Sequence, residues 1–306
     1  MASGPIPADS EDLPLSAWAQ RWRPAGTSRE ETIAADPSTA LAGLFDQSSP
    51  VRGDGDPLPP LWHWLHFLDR PAESELGPDG HLRDGGFLPP VPRRHRMFAG
   101  GRIDIDAPIR AGERVRRESR VAKVEAKTGR SGELLFVTEE HVFTVDGRTR
   151  MTEQQDIVYR RAPLPGSAPR AAGTPARDGT EEPGAAAGEA PDPWRLRLLP
   201  TPAMLFRFSA LTFNAHRIHY DHPYTTRVEG FPGLVVHGPL LALGLLELPR
   251  RLGRTVRHYS FRLRRPCFVD RPVLLTGTPA AEGADLSAFG AGEEPAVTAR
   301  AEFAAP

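Results

Sequence analysis

Residues 232–253 read PGLVVHGPLLALGLLELPRRLG. Gly238 stands before Pro239, and a proline, with its fixed φ and missing N–H, suits the first turn of a helix. Leu240, Leu241, Leu243, Leu245 and Leu246 then make the segment apolar nearly all round, which predicts a helix buried on every side. Such a helix needs a wrapping layer. Strand-like composition flanks it at WRLRLL (194–199), VRHYSFRLRR (256–265), PVLLTGTP (272–279) and AVTARAEFAA (296–305). The expectation is a buried helix enclosed by a long antiparallel sheet.

The first half of the chain carries the same kind of sheet. From residue 97 to 161, Arg102-Ile103-Asp104-Ile105-Asp106 alternates polar and apolar, Val121 to Val124 falls within a longer run, and LLFVTEEHVFTV (134–145) is rich in β-branched and aromatic residues. Ala111-Gly112, Thr128-Gly129 and Asp146-Gly147 are turn signals between these runs, so a meander of antiparallel strands is expected. Upstream, LWHWLHFL (61–68) concentrates Trp62, Trp64 and Phe67, a segment suited to a core or to the wall of a ligand tunnel. Ser28 and Glu31 have capping-box spacing and suggest a short helical region there, broken or restarted at Asp36-Pro37. The domain expectation is a poorly ordered lead-in over 1–28, a first domain over 29–161, a Pro/Ala/Gly-rich disordered linker over 162–193 and a second domain over 194–306.

Composition excludes several function classes. In 306 residues, 38 Lys and Arg balance 39 Asp and Glu, with no like-charge block that would serve nucleic acid or anionic lipid. The one cysteine, Cys267, leaves no internal disulfide and no cysteine zinc site. Neither a leader pattern nor an apolar run of about 20 residues is present, so no membrane partner and a cytoplasmic location are expected. No dinucleotide fingerprint, P-loop or HExxH motif supports redox or phosphoryl-transfer chemistry.

Two stretches bear the chemistry: FSALTFNAHRIHYD (208–221), which holds the chain's one asparagine, Asn214, and GLVVHGPL (233–240). With Asn214 five positions before His219, they resemble the hydratase motif of MaoC-like hot-dog enzymes. More closely, the chain resembles the type 2 hydroxyacyl-thioester dehydratase and mesaconyl-CoA (itaconyl-CoA) hydratase branch. Gly77-Pro78-Asp79-Gly80-His81, Gly86 to Pro90, Phe98 to Arg102 and Arg130-Ser131-Gly132 extend the likeness from about residue 58 to the C-terminus. The resemblance implies an α+β double hot-dog, two long antiparallel sheets each wrapped around a central helix, forming a pseudo-dimer in one chain. It further implies a non-catalytic first domain, which walls the site, and a catalytic second one.

Dehydrating a 3-hydroxyacyl thioester needs a base for the α-proton, an acid for the leaving hydroxyl, and donors for the enolate oxygen. His219 suits both proton transfers, since an imidazole titrates near neutrality. Related R-specific hydratases have aspartate where this chain has Asn214. An amide is no general base, so Asn214 is expected to orient water by hydrogen bonds. The Gly238 N–H, at the positive end of the buried helix, is the expected oxyanion donor, with glycine allowing close approach of the ligand.

Expected substrate contacts are His237, Trp62, Arg96, Arg262 and Arg264, the arginines for the phosphates of CoA, with Arg93 and Arg94 beside Arg96 in a Pro-flanked loop. His216, His219, His222 and His237 raise the thought of a metal, but no nearby carboxylate or cysteine completes a set in the sequence, so neither metal nor cofactor is expected. The partner expected is a small-molecule acyl-CoA or carrier-protein thioester, with a homodimer of pseudo-dimers an open alternative. A hot-dog thioesterase and a non-catalytic acyl-CoA binding protein are the rival functions.

Overall fold

The computed structural model describes residues 13–83, 87–91, 94–129, 132–161 and 192–305. Two compact units emerge: residues 1–167 with 208–216, and residues 168–207 with 217–306. The expected linker lies almost wholly outside the described residues.

In the first unit the order is α1 (Leu15–Arg21), β1 (Thr27–Thr32), α2 (Asp36–Leu44), a 3₁₀ turn at Trp62–Leu65, then β2 (Arg94–Ile105), β3 (Arg114–Gly129), β4 (Gly132–Val145) and β5 (Arg148–Arg161). The strands pair antiparallel in the order β1-β3-β4-β5-β2. Asp146 and Gly147 both have positive φ, 50° and 74°, the backbone that a two-residue hairpin turn requires between β4 and β5. Every odd residue of β4 from Leu135 to Val145 is buried, so the alternation legible in LLFVTEEHVFTV is the pleat itself.

Two expectations fail at the start of this unit. Residues 15–21, placed in a poorly ordered lead-in, form α1, because Leu15, Trp18 and Trp22 find an apolar seat on Leu135, Val137, Ile157 and Tyr159. The Ser28–Glu31 spacing marks no helix: these residues lie in β1, whose backbone pairs with β3 from Thr27↔Ser119 to Thr32↔Arg114. The Glu31 carboxylate accepts from the Phe67 N–H at 2.7 Å instead of capping a helix. The helix begins at Asp36-Pro37, where the proline occupies the first turn.

Among the described residues no long helix covers the first sheet. The short Trp62–Leu65 turn does so, with His63 and Phe67 edge-on to Phe143 of β4 at 5.0 and 5.8 Å between ring centroids. At the centre of this buried face Glu153 of β5 accepts from His63 Nε2 (2.8 Å), Trp64 Nε1 (2.6 Å) and Gln155 Nε2 (2.8 Å). Burial pushes this carboxyl upward, but the charge and hydrogen bond of His63, with His141 adding to them, bring it down to about 2. Glu139, on the same face, is pushed up to about 7 by burial, against the pull of Arg96 and Arg117.

The second unit contains β6 (Arg195–Leu198), α3 (Pro202–Leu211, its last turn grouped with the first unit), α4 (His222–Arg227), α5 (Gly238–Arg251), β7 (Val256–Leu263), β8 (Val273–Ala280), β9 (Gly283–Phe289) and β10 (Val297–Phe303). The strands run antiparallel in the order β7-β10-β9-β8-β6. Helix α5 packs across all five, and every residue from Leu240 to Pro249 is buried, as the leucine pattern predicts. Tyr259 fixes the helix by donating from Oη to the Ala242 carbonyl at 3.0 Å. Strand β9, GADLSAF, is unforeseen because its small residues give no strand signal of their own. Among the described residues no helix is long and apolar enough to cross a membrane.

Candidate active site

The entry to α5 is held by backbone bonds on two sides. Val235 N–H donates to the Ile218 carbonyl (3.0 Å), Val236 N–H to the Cys267 carbonyl (2.8 Å), and Val269 N–H to the Leu234 carbonyl (3.0 Å). This extended segment delivers His237 as the N-cap residue and Gly238 as the first residue of the helix. His219 ends a 3₁₀ turn, Arg217–His219, and is buried, with Nδ1 2.8 Å from the Val235 carbonyl oxygen. A carbonyl only accepts, so neutral His219 carries its proton on Nδ1 and its lone pair on Nε2, the atom that can act as a base.

His237 stacks on His219 with ring centroids 3.5 Å apart and planes 17° apart. At 1% exposure, burial holds the His237 imidazole well below its usual range, and the His219 charge adds to the effect. The pair therefore has one member kept neutral and one oriented by a main-chain carbonyl. Beside them the first turn of α5 presents its N–H groups and the positive end of the helix dipole.

Gly238 is explained differently from the sequence expectation. A Cβ there would come to 2.2 Å of Leu263 Cδ1, so any larger residue obliges the Leu263 side chain of β7 to move aside.

Asp221 and Tyr220 serve the loop. The Asp221 carboxylate caps α4 by accepting from the Tyr224 N–H at 3.0 Å and pairs with Arg217 at 2.6 Å, while the Arg217 guanidinium lies 4.1 Å from the Tyr224 ring centre. Tyr220 is half exposed.

Asn214 belongs to the first unit, in a tight turn that follows α3. Its N–H donates to the Ser209 carbonyl (2.9 Å), its Oδ1 accepts from the His216 N–H (3.0 Å), and Phe213 before it has φ 49°. The amide oxygen thus closes the turn, and Nδ2–H is the donor that the side chain can offer to a ligand. Against this turn lies the 77–81 loop: Gly80 has φ +86°, and a Cβ there would come to 1.9 Å of the Ala215 carbonyl oxygen.

That loop carries Asp79 and His81, which stand out in the sequence only as part of the family resemblance. Asp79 Oδ2 accepts from His81 Nδ1 at 3.0 Å, and the rings of His81 and His216 lie 4.0 Å apart. Burial raises the Asp79 carboxyl, but His81 and His216 hold it well below the usual carboxylate range. The four histidines first considered as a metal set divide: His216 groups with Asp79 and His81, His219 stacks with His237, and His222 is exposed at the start of α4. An acidic residue flanked by turn glycines with a histidine two positions on was the available signal.

The remaining expected contacts scatter. Trp62, at 1% exposure on the 3₁₀ turn, is part of the buried core of the first unit. Arg96 is half-buried on β2 and within electrostatic reach of Glu139. Arg262 is exposed on β7, and Arg264, just past the strand end, donates from Nε to Thr298 Oγ1 at 3.2 Å. Arg93 lies outside the described residues. The Cys267 thiol is buried and pushed up to about 11, which fits an inert packing residue.

A helix enclosed by an antiparallel sheet, with a buried histidine beside the helix N-terminus, defines the class: a protein of the double hot-dog fold. The similarities agree. Residues 61–269 match the family model "Hydroxyacyl-thioester dehydratase type 2", and the chain belongs to that family. It is 42% identical over 275 residues to the mesaconyl-C(4)-CoA hydratase of Chloroflexus aurantiacus, covering 90% of this chain and 94% of the relative. Among solved structures, a MaoC-like dehydratase superposes with a TM-score of 0.62 at 16% identity, covering 91% of this chain and 97% of that one. A Mycobacterium tuberculosis protein with a double hot-dog fold gives 0.50 at 15% identity, covering 91% and 95%. These last two establish the fold.

Proposed function

We propose that this chain reversibly adds water to an enoyl thioester and removes it from the 3-hydroxyacyl thioester, acting on a CoA-type substrate without a cofactor. One observation carries the proposal: His219 is buried and locked through Nδ1 to the carbonyl of Val235, a residue of the segment that leads into α5. Nε2 of His219 takes the α-proton and returns a proton to the departing hydroxyl, which leaves as water; hydration is the reverse. The first-turn N–H groups of α5, Gly238 first, stabilise the thioester oxygen as it gains enolate charge. His237, kept neutral, lets the adjacent imidazole become charged without a like charge at its face. Asn214 holds the hydroxyl or water through its amide. The relatedness to a mesaconyl-C(4)-CoA hydratase makes a branched, dicarboxylic acyl unit such as mesaconyl or itaconyl the first substrate class to examine.

The test is a panel of enoyl-CoA thioesters, linear and carboxylated, incubated with purified protein. Hydration appears as loss of enoyl-thioester absorbance with no free thiol. Thiol release instead would make the chain a thioesterase, and binding without turnover would make it an acyl-CoA binding protein; both outcomes overturn the proposal.

A further inference from the structure

We propose that Asp79, His81 and His216 form a divalent-cation site in the first unit, suited to zinc, cobalt or another late first-row metal. One ligand atom from each of the three residues lies within 4.8 Å of the other two, and all three residues are half-buried. One carboxylate and two imidazoles form a donor set that suits such ions, whereas calcium and magnesium favour all-oxygen cages. Half-burial leaves water to complete the coordination.

The second observation is that the backbone around every ligand is already fixed. Gly77 N–H donates to the His81 carbonyl (2.7 Å) and Gly80 N–H to the Gly77 carbonyl (3.0 Å), while Asp79 Oδ1 accepts from the His81 N–H (3.0 Å). On the other segment, Asn214 Oδ1 accepts from the His216 N–H (3.0 Å). The two segments meet at Gly80, where φ +86° and the Ala215 carbonyl oxygen leave no space for any side chain. A cation would therefore need side-chain adjustment only, and the ordering cost of assembling the site has already been met by the fold. Once bound, it would clamp the 77–81 loop to the turn that holds Asn214.

This inference does not depend on the hydratase assignment, because it is read without turnover. Full-length protein, stripped with a chelator, is titrated with Zn²⁺ by calorimetry and with Co²⁺ by visible absorption. The expected result is about one ion per chain, with d–d bands of a low-symmetry nitrogen- and oxygen-ligated Co²⁺ and a higher melting temperature on Zn²⁺ addition. His81→Ala and His216→Ala should each weaken binding by about tenfold or more and abolish the Zn²⁺-induced melting shift. Asp79→Asn, which keeps the shape and one accepting oxygen for the His81 N–H, guards against a folding artefact and should weaken binding too. His222→Ala removes an exposed histidine outside the trio and should bind as the parent does. Absence of saturable binding by folded parent protein overturns the site, as does unchanged binding in His81→Ala and His216→Ala.

Discussion

His219 sits where one main-chain bond decides its chemistry. Because the Val235 carbonyl takes the Nδ1 proton, the basic nitrogen is fixed as Nε2. His219→Ala should lower turnover by roughly 10²–10⁴-fold while the circular dichroism spectrum remains that of the parent, since the change removes the ring and its contacts but no backbone hydrogen bond of a helix or strand. A variant with more than half of the parent activity would remove His219 from the mechanism. Asn214→Asp isolates the other role: aspartate still accepts from the His216 N–H, so the turn survives, and any altered pH–rate profile reports the new carboxylate. An unchanged profile would put residue 214 away from the proton path.

His237 makes a separate statement about stability. Its folded pKa lies well below the ordinary 6.5, so in acid the unfolded chain gains a proton at this residue that the folded chain refuses. The unfolded state then binds more protons, and stability falls as pH drops below about 6.5. His237→Gln should flatten the decline in melting temperature between about pH 7.5 and pH 5, leaving part of it, because burial lowers His66 and His141 in the same sense. A slope identical to the parent's would show that His237 is not held neutral. Spacing in the sequence singled out His219 and Asn214 as candidates. The sequence concealed the tautomer and the stack, which depend on a carbonyl 16 residues away and on burial, neither of which has a sequence signature.

At the scale of elements, local signals worked where one segment's own chemistry sets its conformation. The leucines after Gly238-Pro239 can be buried together only as a helix enclosed on all sides, and α5 is that helix. Thr27–Thr32 became strand rather than helix because β3 offers a complete ladder, from Thr27↔Ser119 to Thr32↔Arg114, a partner distant in sequence that propensity cannot see. Gly238 has a packing neighbour that the sequence does not reveal: the side chain of Leu263, on β7, fills the space that a Cβ would take. Gly238→Ala should therefore destabilise the protein by about 1–3 kcal/mol in urea unfolding, through overpacking. Leu263→Ala in the same chain should recover part of that loss, giving a favourable coupling in a double-mutant cycle. Strict additivity would separate the glycine from β7.

Over the whole molecule, the order of residues in the chain and their grouping in space differ at one place. Residues 208–216 follow the segment linking the two sheets in sequence, yet they group with the first unit. The reason is local and strong: Gly80 abuts the Ala215 carbonyl, and the His81 ring faces that of His216. A boundary drawn at residue 194 from composition alone therefore assigns Asn214 to a fragment that lacks its packing partners. Residues 194–306 expressed alone would retain β6 to β10, α5, and the His219–His237 stack, so the second sheet has the elements it needs to form. The Asn214 turn would lose the 77–81 loop and all that holds His216 from outside the segment. The fragment should accordingly show at least tenfold lower hydratase activity than the full chain even when soluble, with faster hydrogen exchange concentrated in 208–216 rather than in α5. Parent-level activity from the fragment would mean that the contacts of the first unit to this turn are dispensable, and that Asn214 does its work, if any, without them.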